Sequence, residues 1–278
     1  TDTNGEIQSK DAFPNSYQIP KGQCKWEPAT PNGLALFPYW GSVRTFTIDQ
    51  SDLLSPPPYP FSNQPNSIYY KQHLDLYNTV KNLTNDQKWE AEFWSDDIVG
   101  LTFSPPARLF AIGLQVMSIE NMNLEKGLHF FCKLGIAVND GAVAAWGSKY
   151  YYNTERPETF IRKYIDPDFN SYLGTAIGTP GLVPPFPGYP SGHSTFSGIL
   201  QEIFTEFFGA NYIFTDNCHK GRTEFLSQPR TFSSWQQLVE ENAYSRLPLG
   251  VHIKMDCDEG LRLGSVIGKK ALAYRLKI

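Results

Sequence analysis

One stretch decides the fold, and it reads Phe186-Pro187-Gly188-Tyr189-Pro190-Ser191-Gly192-His193-Ser194-Thr195-Phe196-Ser197-Gly198. Pro190 ends any preceding regular structure, and Ser191 is a residue type that caps helices well. Apolar residues then recur at helical spacing over residues 199–207. We therefore predict that a loop rich in proline and glycine leads into a helix starting near His193.

The start of this helix is a potential anion site. Its first backbone N–H groups have no partner within the helix and lie at the positive end of the helix dipole. Together with the Ser191 hydroxyl they favour a bound oxyanion. Any capped helix start shares these features, so a purely structural interpretation is equally good for this stretch alone.

Composition limits the class of protein. The 278 residues are 41% hydrophobic and 19% charged, and no uninterrupted apolar run is long enough to span a bilayer, so we expect a globular chain without a membrane segment. The net charge of −4 gives no reason to expect nucleic acid or an anionic membrane as a partner. Local cations must therefore make any anion site. The cellular compartment stays open, and a periplasmic or secreted enzyme is compatible with this composition.

Four cysteines occur, at Cys24, Cys132, Cys218 and Cys257, and their spacing fits no metal site. Cys132 lies in an apolar helical run, where we expect a buried free thiol. Cys218 and Cys257 could form a disulfide, a question that spacing leaves open.

The chain divides into two parts. Residues 1–65 are rich in proline, glycine, asparagine and serine and predict a long irregular arm that wraps over other structure. Residues 66–278 carry helical patterns and no persistent strand alternation, which predicts an all-α fold, a helical bundle with long irregular loops. The predicted helices cover residues 68–83, 84–99, 105–120, 125–152, 157–163, 193–209, 234–243 and 252–276.

Three segments carry charged residues and histidines in one ordered pattern. Lys149 is followed after six residues by Arg156-Pro157, then comes Pro190-Ser191-Gly192-His193, and Ser245-Arg246 is followed after five residues by His252 and after three more by Asp256. Taken singly, each side chain is more often structural. Together they resemble the signature of the vanadium-dependent haloperoxidases and of the related class A acid phosphatases. Such an arrangement lets three cations and one helix start converge on a tetrahedral oxyanion, vanadate or phosphate.

Flanking segments resemble the haloperoxidases more than the phosphatases. Residues 38–46 resemble an aromatic element of bacterial haloperoxidase-like proteins, and Trp146 and Phe186 resemble the pocket aromatics of fungal chloroperoxidases. The resemblance implies a bacterial vanadium-dependent haloperoxidase that uses hydrogen peroxide to oxidise a halide, iodide or bromide rather than chloride, to hypohalous acid. For Trp146, Phe186 and Asp140 a structural role in the helix core is an equally good interpretation.

The resemblance also implies a role for each signature residue. His252 is expected to bind vanadium through a ring nitrogen, and the oxygens of vanadate are expected to be held by Lys149, Arg156, Ser191, Gly192 and Arg246. His193 is expected to exchange a proton with hydrogen peroxide at a pKa near neutrality, and Lys149 to draw charge from the peroxide oxygen. Asp256 is expected to orient His252. We expect a structural role for the remaining histidines, His73, His129 and His219.

Two other functions fit the same residues. In an acid phosphatase of the related family, His252 would attack a phosphomonoester to give a phosphohistidine, and His193 would protonate the leaving alcohol. A non-catalytic oxyanion-binding or scaffold protein is disfavoured because no signature position is lost.

The resemblance covers the later part of the family. Family members carry a further helical bundle before the element at Pro38, and here only an arm precedes that element. We therefore expect the helices after Asn66 to expose an apolar face that such a bundle, or a separate N-terminal fragment, would cover.

Overall fold

A computed structural model describes residues 10–29, 33–49, 51–98 and 100–276. Within these ranges the chain forms eight α-helices and two short strands joined by long irregular segments, which confirms the predicted all-α bundle. The helices are α1 (Ile68–Lys81), α2 (Asn85–Phe93), α3 (Pro105–Ile119), α4 (Leu124–Tyr152), α5 (Pro157–Tyr164), α6 (Gly192–Phe208), α7 (Trp235–Tyr244) and α8 (Lys254–Ala273). Parts of the predicted arm, residues 1–9, 30–32 and 50, and the predicted end of the second helix, Val99, lie outside the described residues.

Polar side chains fix the helix starts where the sequence predicted them. Ser191 accepts a hydrogen bond from Ser194 N at the start of α6, which confirms the predicted cap. Thr84 and Gln87 form a reciprocal capping box at the start of α2. Each cap gives a partner to backbone N–H groups that the first helical turn leaves free.

The predicted end of the second helix and the predicted start of the last helix are wrong. The second helix ends at Phe93, because Ser95 N and Asp96 N bond to nearby carbonyl oxygens and turn the chain away from the helix axis. The last helix begins at Lys254 rather than at His252, because the Asp256 carboxylate accepts a hydrogen bond from Ile253 N and fixes the cap there. His252 therefore lies in the loop before the helix.

The last helix also ends earlier than predicted, at Ala273. Lys133 of α4 donates from Nζ to Ala271 O and Leu272 O at 2.9 and 3.0 Å. These bonds satisfy carbonyl groups that have no partner within the helix.

Two antiparallel strands, β1 (Phe214–Asp216) and β2 (Arg230–Phe232), were not predicted. Each has three residues, which is too short for an alternating pattern to be recognised. Asp216 at the end of β1 carries a buried carboxylate into the bundle.

The helix α6 lies at the centre of the bundle, and every residue from Gly192 to Leu200 is buried. Glycine lets its backbone approach α8 closely. A Cβ added at Gly264 would lie 2.0 Å from Thr195 O, and one added at Gly198 would lie 2.4 Å from Leu261 O. This contact fixes the start of α6 relative to the start of α8.

The arm is attached to α4 through Asp140. Its buried carboxylate accepts hydrogen bonds from Phe46 N, Thr47 N and Thr47 Oγ1 at 2.8, 2.7 and 2.7 Å. Further along α4, the Trp40 ring of the arm lies against the Trp146 ring, with centroids 4.9 Å apart. Asp140 therefore has a structural role in holding the aromatic element at residues 38–46.

Several apolar side chains of the early helices are exposed. Leu114 and Ile119 on α3 are 60% and 57% exposed, and Leu124 and Leu128 on α4 are 76% and 56% exposed. That a further bundle covers them stays a prediction. Among the described helices, none is long and apolar enough to cross a membrane.

The cysteines do not pair. All four, each at a described position, are free thiols. The expectation of a buried Cys132 is wrong, because this side chain lies on the outer face of α4 while Phe130 and Leu134 take the inner face. Cys257 is buried.

His73 is a buried histidine outside the signature. Its Nδ1 lies 2.7 Å from Tyr69 O, and its ring packs against the rings of Tyr69 and Phe160. Burial lowers the pKa of His73 from 6.5 to about 4. The imidazole is therefore neutral in the folded protein at neutral pH.

Acid should weaken the fold through His73. Its folded pKa of about 4 lies below the unfolded value of 6.5, so only the unfolded chain gains the proton as the pH falls between them. Since His73→Phe removes this penalty, we expect the free energy of unfolding of the wild type to fall by about 3 kcal/mol relative to the variant between pH 7 and pH 4. Urea unfolding at a series of pH values measures the difference. Phe160→Leu is the control for lost packing, and a His73→Phe difference as constant with pH as that of the control would contradict the buried neutral ring.

Candidate active site

The fold gathers the signature residues into one buried site. Lys149 lies in the last turn of α4, Arg156 caps α5, and His193 lies in the first turn of α6. Arg246 and His252 lie in the segment between α7 and α8. The side chains gathered there are almost fully buried, and the most exposed of the titratable ones, His193, is 5% exposed.

A small cavity marks the centre of the site. It lies at the start of α6 and beside the segment that precedes α8. Its lining consists of Asp97, Pro105, Trp146, Pro184, Phe186, Gly192, His193, Phe196, Arg246 and His252. Phe186 connects this lining to the other two cations, because its ring lies 5.1 Å from Lys149 Nζ and 4.8 Å from Arg156 Cζ.

Lys149 binds the loop that leads into α6. Its Nζ donates to Pro187 O at 3.0 Å, Gly188 O at 2.9 Å and Pro190 O at 2.5 Å. Burial lowers the pKa of Lys149, and the nearby Arg156 acts in the same direction. Three carbonyl acceptors favour the ammonium form, which has three N–H donors.

Arg156 connects the same loop to His252. Its Nε donates to Phe186 O at 2.8 Å, and its Nη1 donates to Val251 O at 2.9 Å and lies 3.1 Å from His252 Nε2. Burial lowers the pKa of Arg156 to about 10, so the guanidinium stays charged at neutral pH.

Arg246 is held by a segment that the sequence analysis did not select. Its Nη1 donates to Trp94 O at 3.2 Å, and its Nη2 forms an ion pair with Asp97. Burial raises the pKa of Asp97, but Arg246, His193 and Arg156 together lower it, so that the pKa lies below its ordinary value. Asp97 is the main site residue missed, and its only signal in the sequence was an acidic pair, Asp96-Asp97, after a helix.

His252 and Asp256 form the pair that the resemblance implied. His252 Nδ1 lies 3.0 Å from Asp256 Oδ2. Burial lowers the pKa of His252 well below its ordinary value, and Arg156 and Lys149 add to the effect. A neutral ring that donates from Nδ1 to the carboxylate keeps its lone pair on Nε2, on the side of Arg156.

His193 differs from the expectation of a pKa near neutrality. Burial, reinforced by Arg246, lowers the pKa of His193 to about 3. The ring is therefore neutral and able to accept a proton, but it is a weak base as long as no further anion is bound beside it. An anion beside it would raise its pKa.

Ser191 and Gly192 form the start of α6. Ser191 Oγ accepts from Ser194 N and Ser194 Oγ, and neither contact uses the Ser191 hydroxyl proton. The N–H of Gly192 lies at the first helical position, where it has no intrahelical acceptor. A Cβ added at Gly192 would lie 3.3 Å from the Trp146 ring, so glycine keeps the helix start open to the cavity.

Trp146 and Phe186 form an aromatic wall. Their ring centroids lie 5.1 Å apart, and both side chains line the cavity. Trp146 Nε1 donates to Leu36 O of the arm at 3.3 Å. The two candidate halide-pocket residues are therefore next to the cations and are supported by the arm.

Within the part of the chain that the structure describes, the site leaves three buried polar nitrogens without a partner, two on guanidinium groups and one on an imidazole ring. Among the described residues, none accepts a hydrogen bond from Arg156 Nη2 or Arg246 Nε, and none pairs with His193 Nε2. Buried polar groups normally have partners, so these nitrogens are available to a bound ligand. The described residues also form no cluster of three or more His, Cys, Asp and Glu side chains that could hold a bare metal ion. Cations gathered around the imidazole rings of His193 and His252 instead fit a tetrahedral oxyanion.

Comparisons with known sequences identify two relationships. The family described as the VCPO second helical-bundle domain matches residues 129–278, which is more than half of the chain. Vanadium chloroperoxidase of Curvularia inaequalis is 22% identical over 294 aligned residues, covering 83% of this chain and 48% of that protein. The chain thus spans about half the length of this curated relative.

Solved structures share the fold. The crystal structure of the first bacterial vanadium-dependent iodoperoxidase has a TM-score of 0.80 and 29% sequence identity, and the match covers 97% of this chain and 65% of that one. The holo form of a bacterial vanadium-dependent chloroperoxidase has a TM-score of 0.70 and 18% identity, over 92% and 63% of the two chains.

Lys149 should stabilise the fold before any oxyanion binds. Lys149→Met leaves three buried carbonyl oxygens without their donor, at roughly 1 kcal/mol each, so we expect the free energy of unfolding to fall by about 3 kcal/mol. Denaturant unfolding of protein freed of oxyanions measures this. Lys254→Met, which removes an exposed pair with Asp258, is the control and should cost much less. Equal effects of the two substitutions would remove the role of Lys149 in holding the loop.

Proposed function

We propose a function from the family to which the chain belongs, the vanadium haloperoxidases, as its match to the VCPO second helical-bundle domain shows. The proposed protein binds vanadate and uses hydrogen peroxide to oxidise a halide to hypohalous acid. The observation that carries this proposal is a set of buried nitrogens without a partner among the described residues, namely the donors Arg156 Nη2 and Arg246 Nε and the imidazole nitrogen His193 Nε2. An oxyanion would accept hydrogen bonds from the two guanidinium groups and would balance the buried positive charge.

The proposed vanadate site uses the residues that surround these donors. The oxygens would be held by Lys149, Arg156, Ser191, Gly192 N–H and Arg246, and His252 Nε2 would supply the nitrogen ligand. Bound vanadate would supply Lewis acidity that activates peroxide. Lys149 and Arg156 would have to redirect N–H bonds, because Lys149 Nζ donates to three carbonyl groups and Arg156 Nη1 lies 3.1 Å from His252 Nε2.

The two histidines have different tasks in this proposal. Asp256 keeps the proton of His252 on Nδ1, so that the ring presents a lone pair at Nε2. His193 is neutral and has a free Nε2, so it can take a proton from hydrogen peroxide and return it later. A base with a lowered pKa is suited to this task only when an anion beside it raises that pKa.

For the halide we propose iodide or bromide rather than chloride. Iodide is the easiest of the three to oxidise, and a structural relative with 29% identity is described as an iodoperoxidase. The aromatic wall of Trp146 and Phe186 would lie beside the halide. Its low polarity would exclude water from the reacting atoms.

Turnover is the first test. Protein freed of oxyanions and then loaded with orthovanadate should oxidise iodide in the presence of hydrogen peroxide, and it should oxidise bromide more slowly. The measurement is the appearance of triiodide, followed by its absorbance. The same site could hold phosphate, so hydrolysis of p-nitrophenyl phosphate without vanadate is measured in parallel. Phosphatase activity in the absence of any peroxidase activity would replace the proposed function with the phosphohistidine mechanism.

The histidines should separate binding from turnover. His252→Ala should abolish the retention of vanadate through gel filtration, because the nitrogen ligand is lost. His193→Ala should retain vanadate but lower kcat by about 100- to 10,000-fold, because it loses the proton acceptor. His129→Ala, at an exposed position on α4, is the control and should leave both quantities unchanged. Wild-type retention by His252→Ala would remove the ligand assignment.

A further inference from the structure

Arg108 is a buried cation outside the signature. It lies on α3 and is fully buried. Its Nη2 forms an ion pair with Asp216 at 2.9 Å, and its Nη1 lies 2.9 Å from His219 Nε2 and 3.6 Å from Asp96 Oδ1. None of the roles assigned to the signature residues accounts for this cation.

Arg108 contacts the segment that holds Arg246. Its guanidinium lies 4.8 Å from the ring centroids of Phe93 and Trp94. The carbonyl oxygen of Trp94 accepts from Arg246 Nη1. Trp94 therefore contacts Arg108 through its ring and Arg246 through its backbone carbonyl group.

The neighbouring carboxylates of Asp96 and Asp97 are likewise divided between Arg108 and Arg246. Asp96 lies beside Arg108, and Asp97 pairs with Arg246. Neither oxygen of Asp96 has a hydrogen-bond partner among the described residues, so Arg108 at 3.6 Å is its ion-pair partner there. Burial raises the pKa of Asp96 to about 7, although Arg108 lowers it. The short segment from Trp94 to Asp97 thus lies between two arginines.

Arg108 is itself fixed from the opposite side. Asp216 Oδ1 accepts from Gln115 Nε2 at 3.0 Å and from Cys218 N at 2.8 Å, while Oδ2 accepts from Arg108. A buried ion pair with a fixed carboxylate has little freedom to move. Helix α3 and strand β1 therefore help to position Trp94 O and Asp97, the two acceptors of Arg246.

We infer that Arg108 is a positioning residue for oxyanion binding, which acts through the 94–97 segment to hold Arg246 with its free Nε toward the site. This inference rests on the proposed function only in taking Arg246 as an oxyanion ligand. Arg108 does not touch the oxyanion. Lysine cannot replace it, because a single ammonium lacks the planar fork that contacts Asp216, Asp96 and two aromatic rings together.

The test is a titration of oxyanion-free protein with orthovanadate and with inorganic phosphate by calorimetry. Arg108→Lys should weaken binding of both anions by about 10- to 100-fold, the usual effect of losing a residue that orients a ligand. Arg262→Lys, which alters an exposed pair with Glu259, is the control and should bind as the wild type does. Far-ultraviolet circular dichroism and thermal unfolding confirm that each variant is folded.

A double-mutant cycle separates positioning from general loss of structure. Arg246→Ala alone should weaken binding, and Arg108→Lys should add no further loss in that background, because its effect passes through Arg246. Additive losses would overturn the inference.

Asp216→Asn is the second variant, which keeps the shape of the side chain should Arg108→Lys fail to fold. Removing a carboxylate near a cation site would by charge alone strengthen anion binding. Weaker binding therefore supports positioning, and unchanged or stronger binding overturns it. If the wild-type protein binds neither anion, the proposed function is overturned as well. If the wild type binds and the Arg108→Lys and Asp216→Asn variants bind equally well, this inference alone is overturned.

Discussion

The burial of three cations in one site is the constraint on which the rest of the structure depends. Lys149, Arg156 and Arg246 are at most 1% exposed. Buried charges are costly unless they are paired and hydrogen-bonded. The loop before α6 therefore turns four carbonyl groups, from Phe186, Pro187, Gly188 and Pro190, toward Lys149 and Arg156. Asp97 and Asp256 supply the carboxylates.

The pairing of these buried charges is incomplete, and the groups left over can bind a ligand. Among the residues that the structure describes, the carbonyl groups and carboxylates leave Arg156 Nη2, Arg246 Nε and His193 Nε2 without a partner. The same cations lower the pKa of both site histidines, after burial itself. A ligand that brings negative charge therefore gains hydrogen bonds, while neutral imidazoles remain available for ligation and proton transfer.

The irregular segments are as important for the site as the helices. The arm is held at Asp140 and lies behind Trp146 through Trp40. The short segment after α2 holds Arg246. Helices α4, α6 and α8 supply rigid positions for Lys149, His193 and Asp256. Arg246 and His252 lie in the segment that joins α7 to α8. This division explains why residues from separate parts of the chain form a single buried site.

The sequence by itself determined the helices, the cap at Ser191 and the identity of the cationic and histidine signature, because caps, periodicity and motif spacing are local patterns. It placed the end of the second helix and the start of the last one wrongly, since both limits depend on hydrogen bonds in the folded chain. Only the tertiary structure decided that Asp97 pairs with Arg246, that Lys149 binds three loop carbonyl groups, and that His193 has a pKa far below neutrality. These properties arise from groups far apart in the sequence, whose burial and mutual distances are set when the helices pack.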